Sequence, residues 1–148
     1  MRLVVRVQQD AFDLNAETAA LAEGGQAGAV ASFTGYVRRE DGLSSLTLEH
    51  YPGMTEAEIG RVAAEAAQRW PLTGVTVIHR IGNLKPGEPI VLAAAASAHR
   101  ADAFAACEFL MDYLKTKAPF WKEEARDGTR NWVAAKESDE AAAERWRK

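Results

Sequence analysis

Three lysines, Lys115, Lys117 and Lys122, bracket Pro119 in the segment YLKTKAPFWKEE, residues 113–124. Proline ends a helix arriving through Tyr113 and Leu114, so Lys115 and Lys122 are expected at a helix end and on the turn beyond it, where they can converge on an anion. A lysine serves as acid, base or nucleophile only when burial or a neighbouring cation brings its pKa from about 10.4 toward neutrality. Lys117 and Lys122 are the available neighbours for Lys115. The same residues also read as a solvated basic rim, with Lys115 simply favoured by the dipole at a helix C-terminus. Phe120 and Trp121 offer apolar area that could back a ring, anchor a partner or pack in the core. Glu123 and Glu124 either orient lysines through charged hydrogen bonds, which would place them with the substrate-binding residues, or are solvated carboxylates.

A second cationic point is His99-Arg100, expected where a strand hands over to a helix and first-turn N–H groups point outward. A phosphate there would meet a guanidinium fork, an imidazole and a helix N-terminus; the plain alternative is a solvated arginine and a rim histidine. Arg38 and Arg39 form a third point at the end of a strand, and adjacent strand residues face opposite ways, so at most one of them enters a given site. Arg100 and Lys115 lie at opposite ends of one expected helix, roughly 22 Å apart, which calls for an elongated groove or a site completed by a second subunit.

The positioning elements follow from periodicity and punctuation. Residues 3–7 and 28–37 read as strands, and 45–51 alternates with Leu46 and Leu48 on one face. Asn15 is the expected cap of a helix through Leu21 that Gly24 and Gly25 end. Asp41-Gly42 is a turn signal that would pair the second and third strands. Thr55 as N-cap with Glu58, and a Met54–Ile59 staple, predict a helix with Ile59, Val62, Ala63, Ala66 and Trp70 on its apolar face, stopped by Pro71. Strands follow at 75–81 and 90–97, joined by a type II turn at Pro86-Gly87. A helix from Arg100 to Leu114 is expected to bury Phe104, Cys107, Met111 and Leu114, and Ser138 to cap a last short helix after an Asp127-Gly128 turn. This order predicts an α+β two-layer fold on an antiparallel or mixed sheet, as one domain over 1–148 with a flexible tail at 140–148.

The bounds are narrow. A chain of 148 residues, 47% hydrophobic and 26% charged, has the size and composition of one globular domain. A formal charge of −3 gives no global attraction for nucleic acid or anionic membrane. One cysteine, Cys107, and an N-terminus without a secretory pattern make the cytoplasm the expected location. The histidines have no metal-ligand spacing, and neither a dinucleotide or triphosphate loop nor a nucleophile elbow is present, so neither metal nor bound cofactor is expected. A local cationic site for a small phosphorylated ligand or a protein carboxyl terminus survives these exclusions.

The segments FTGYVR (33–38), LTLEHYPGMT (46–55), WPLTGVTVIHRIGNLKPGE (70–88), SAHRADAF (97–104) and MDYLKTKAPFWKEE (111–124) closely resemble the large, catalytic subunit family of molybdopterin synthase. With the intervening sequence, the resemblance covers most of residues 28–138. It implies an α/β hammerhead fold with an additional antiparallel β-containing subdomain. It also implies a sulfur transferase of molybdenum cofactor biosynthesis that converts cyclic pyranopterin monophosphate (precursor Z) to molybdopterin. Sulfur would come from the C-terminal Gly-Gly thiocarboxylate of a small ubiquitin-like subunit, in a heterotetramer around a central homodimer of large subunits. The resemblance makes Lys115 the essential lysine, Lys122 the second active-site lysine, and Arg38, His99 and Arg100 the substrate-binding residues; Arg39 and Lys117 match less well. Competing readings are a non-catalytic module for a glycine-rich C-terminus, a phosphoester enzyme using Arg100 and Lys115, and a nucleic-acid binder.

Overall fold

The computed structural model describes residues 1–133 and 137–147, the side chains of 137–139 excepted. In chain order the elements are β1 (Arg2–Gln8), α1 (Leu14–Ala22), β2 (Ala29–Tyr36), β3 (Leu43–His50), α2 (Met54–Arg69), β4 (Leu72–Arg80), β5 (Gly82–Leu84), β6 (Pro89–Ser97), α3 (Arg100–Lys117), β7 (Phe120–Arg126), β8 (Thr129–Trp132) and α4 (Glu137–Glu144). They form two four-stranded sheets, ordered β1-β4-β6-β2 and β5-β3-β7-β8. Among the described strands only β1 and β4 pair in parallel; the second sheet is antiparallel throughout its described strands. This is the mixed α+β hammerhead architecture with an added antiparallel subdomain.

The first sheet is apolar on both sides along β4 and β6. Val75, Val77, Val91, Ala93 and Ala95 meet Ile59, Val62 and Ala66 of α2 and Ala106, Phe109 and Leu110 of α3. The alternate residues Ile78, Leu92, Ala94 and Ala96 meet Leu21 of α1. Helices therefore cover both faces, one layer more than the two-layer expectation. Each large side chain buried there contributes about 1.5–3 kcal/mol, and the short alanines of β6 let the helices sit close. A smaller core of Val37, Leu46, Leu48 and Leu84 holds the second sheet.

Several local expectations are corrected. The Asp41-Gly42 turn does not pair β2 with β3, because β2 is bound along its length to β6 while β3 lies between β5 and β7. Asp13, not Asn15, caps α1, its Oδ1 accepting from the Ala16 N–H at 3.0 Å. Helix α2 starts two residues early: Gly53 is its N-cap and Glu56 Oε1 accepts from the Gly53 N–H at 3.0 Å, Thr55 is fully buried, and Met54 is exposed. Phe104 is 66% exposed, and α3 instead buries Ala103, Ala106, Phe109, Leu110 and Tyr113 beside Cys107, Met111 and Leu114. The type II turn stands, with Gly87 at φ 92 and the Glu88 N–H bonded to the Lys85 carbonyl. The cap assigned to Ser138 lies outside the described side chains. Within 140–148, Trp146 packs edge-on against Trp70 and Phe109 and donates to Asp112 at 2.6 Å.

Candidate functional site: a two-lysine pocket between the sheets

Ala118 is extended, at φ −72 and ψ 126, as a residue before proline must be. The clash with Pro119 therefore stops α3 at Lys117, and the chain turns straight into β7. Lys115 comes from the last turn of α3 and Lys122 from the third residue of β7; the sequence placed Lys122 on a turn, but strand pairing with Leu48 of β3 holds it. Both line one cavity of about 340 Å³, walled by Gly35 and Tyr36 of β2, His79 of β4, Ile90 and Val91 of β6, Met111 and Leu114 of α3, Phe120, and Val133. Gly35 brings the wall close: a Cβ there would stand 2.9 Å from Val91 Cγ1. None of the described residues lining the cavity is acidic. Two ammonium groups in a mostly apolar recess suit an anion with an extended or ring-shaped body.

His79 is the lining residue that sequence reasoning overlooked. It is 8% exposed, and its Nδ1 lies 2.8 Å from the Arg80 carbonyl, an acceptor, so Nδ1 carries the proton and Nε2 is left as an acceptor. Burial, with smaller contributions from Lys122, Lys115 and His50, lowers its pKa to about 4, so it is neutral at pH 7. The available signal was a histidine next to the apolar residues of the strand run VTVIHRI, since a buried polar group needs a reason.

The remaining candidates lie elsewhere. Arg38 stands two residues beyond Tyr36, exposed, with Nη2 2.9 Å from Glu40 Oε1. Arg126 and then Arg38 hold the Glu40 carboxyl below its ordinary range. Arg39 is exposed. His99 is the N-cap of α3 and Arg100 its first residue, both exposed and at the far end of the helix from Lys115. Glu123 pairs with Arg130 at 3.5 Å and Glu124 with Arg126 at 2.9 Å; neither lines the cavity. Lys117 belongs to a separate recess with Arg61, Glu65, Tyr113 and Arg147, because two helical positions rotate a side chain by about 200°. Phe120 points inward onto His79, while Trp121 points outward to Tyr51 and Trp132. Cys107 is buried, with its thiol pushed up to about 11 by desolvation, which disfavours the thiolate at neutral pH. No cluster of potential metal ligands occurs among the described residues.

Fold and site together define an α+β protein whose second, antiparallel sheet closes a dicationic pocket against the end of a long helix. The family model described as MoaE protein matches residues 7–117. A molybdopterin synthase catalytic subunit from Mesorhizobium japonicum is 63% identical over 147 residues, covering 97% of this chain and 92% of the relative. One from Cereibacter sphaeroides is 56% identical, covering 96% and 99%. The solved structure of the molybdopterin biosynthesis MoaE protein from Burkholderia ambifaria superposes with a TM-score of 0.86 at 50% identity, covering 99% and 98% of the two chains. The chain belongs to the MoaE family of molybdopterin synthase catalytic subunits, and its general role is sulfur transfer in molybdenum cofactor biosynthesis.

Proposed function

We propose that this chain builds the dithiolene of molybdopterin on cyclic pyranopterin monophosphate, with sulfur from the C-terminal thiocarboxylate of a small ubiquitin-like subunit. The observation that carries the reading is that Lys115 and Lys122 line one mostly apolar recess. An extended Gly-Gly tail is slim enough to enter such a recess, and its terminal anion would meet both ammonium groups. The 63% identical relative is itself a catalytic subunit, a name that presupposes a second kind of chain.

In each transfer the acyl C–S bond of the donor breaks, a C–S bond to the substrate forms in place of a C–O bond, and the acyl carbon takes its second oxygen from water, so that the spent donor leaves as an ordinary carboxylate. Two transfers complete the dithiolene, with no net oxidation. Lys115 sits beside the terminal acyl carbon, assists proton transfer and stabilises the oxyanion that develops there; Lys122 shares that charge. Neutral His79 adds no third positive charge and offers an acceptor on the pocket wall.

Arg38, His99 and Arg100 hold the phosphate or pterin. Because Arg100 and Lys115 are separated by the length of α3, the proposal places the Arg100 end of a second copy beside the pocket, in a central dimer with one small subunit at each outer end. Two surface features support self-association: β2 is an outer strand of its sheet, and beside it runs an open groove of about 520 Å³ lined by the exposed rings of Phe33 and Phe104.

The test is product formation from cyclic pyranopterin monophosphate and thiocarboxylated small subunit, comparing intact protein with folded Lys115→Ala. A loss of about 100-fold or more in turnover is expected for the variant. Donor binding without product from intact protein would favour a tail-binding module instead, and equal turnover by both would remove Lys115 from the chemistry.

A further inference from the structure

The short stretch between the two pocket lysines is gripped from outside by two buried side chains. Thr55, in the first turn of α2 and without solvent exposure, uses its hydroxyl twice: it accepts from the Tyr51 N–H at 3.0 Å and donates to the Pro119 carbonyl at 3.0 Å. The next residue, Phe120, stacks nearly flat on the His79 ring of β4, with centroids 3.8 Å apart and planes 19° apart. Its N–H is bonded to the Ala118 carbonyl at 3.0 Å. Residues 118–120 are thus tied at once to α2 and to the first sheet.

Plain core packing does not require this arrangement. Valine matches the shape of threonine and would fill the same space without a hydroxyl to satisfy. A buried hydroxyl that donates to a specific carbonyl fixes direction as well as contact. The carbonyl it holds belongs to the residue where the chain changes from helix to strand, three residues before Lys122 and four after Lys115. A shift of that junction changes the relation between the two ammonium groups.

We propose that Thr55 and the His79–Phe120 stack form a clamp on the α3–β7 junction that sets the separation and direction of Lys115 and Lys122, which makes Thr55 a positioning residue for the pocket. Its catalytic consequence rests on the sulfur-transfer reading; the geometric claim does not. Thr55 touches neither donor nor substrate and acts through Pro119. Removing the hydroxyl therefore loosens the lysine pair while leaving the docking surface of the donor intact.

Three folded variants test this: Thr55→Val removes the hydroxyl, Thr55→Ser keeps it, and Phe120→Leu removes the ring stack, serving in place of Thr55→Val should that protein not fold. Two readouts are taken on each. One is kcat and KM for product formation with thiocarboxylated small subunit. The other is the yield of intramolecular Lys115–Lys122 linkage by a short bifunctional amine-reactive ester, read by peptide mass spectrometry. Thr55→Val is expected to lower kcat about tenfold or more with KM for the donor within about twofold, and to cut the linkage yield, because small misplacements cost far more in turnover than in binding. Thr55→Ser is expected to restore both. Unchanged kcat and linkage in folded Thr55→Val, or an equal loss in Thr55→Ser, would overturn the clamp. If intact protein forms no product, the sulfur-transfer reading fails while the linkage yields still decide the clamp.

Discussion

His79 shows how one side chain sets the charge of the pocket. Desolvation holds its pKa near 4 against the ordinary 6.5, with Lys122, Lys115 and His50 as the charged or titratable neighbours acting in the same direction. Between those values the unfolded chain binds a proton that the folded chain does not, so stability falls as pH drops from about 6.5 to about 4, by up to about 3 kcal/mol. Glu40, Glu58 and Glu88, whose folded pKa values are depressed, lose their contributions at lower pH still. Urea unfolding at pH 7 and pH 4.5 is expected to show the loss in intact protein and a much smaller one in His79→Gln. Equal pH dependence in both would assign the effect to other groups. The residue scale was only partly legible in the sequence: Lys115 and Lys122 stood out by charge around a proline, whereas His79 was passed over once metal chemistry was set aside.

At the scale of elements, local signals worked where a backbone requirement has few solutions and failed where partners are distant. Pro119, Gly87 and the Asp127-Gly128 turn, with φ of 47 and 80, behave as their chemistry demands. Both of these caps were misplaced by two residues, since Asp13 and Gly53 compete with nearby Asn15 and Thr55 for the same role, and Thr55 is drawn away by Pro119, 64 positions along. Gly28 marks a tight passage that composition alone did not single out. Its N–H is bonded to the Ser97 carbonyl at 2.9 Å, and a Cβ there would land on the Ala98 carbonyl oxygen. Gly28→Ala is expected to push β2 off the end of β6 and to cost about 1–3 kcal/mol in urea unfolding. An unchanged midpoint would mean that the strand end yields freely.

For the whole molecule, the separation of Arg100 from Lys115 along α3 is the constraint that the proposed mechanism must meet. The proposed pairing of two copies meets it, and the exposed groove beside the outer strand β2 is where pairing is expected. Phe104→Glu places a charge on the most exposed aromatic ring of that groove and leaves the two-lysine pocket untouched. In sedimentation the intact chain is expected at the two-chain mass and the variant shifted toward one chain, with activity falling in parallel. A two-chain mass in both proteins would move the contact elsewhere.

The α+β class, the four described helices, strands β1 to β4 and β6, and the principal lysine pair were present in the linear order of residues, because period, proline and charge act over a few positions, whereas β5, β7 and β8 were not read from it. Tertiary structure alone decided that β2 and β3 belong to different sheets, that β7 rather than a turn carries Lys122, that His79 faces the lysines, and that Thr55 holds Pro119. Each of those depends on partners tens of residues apart. Such pairings are selected by the burial and hydrogen bonding of the whole assembly, which no local window of sequence records.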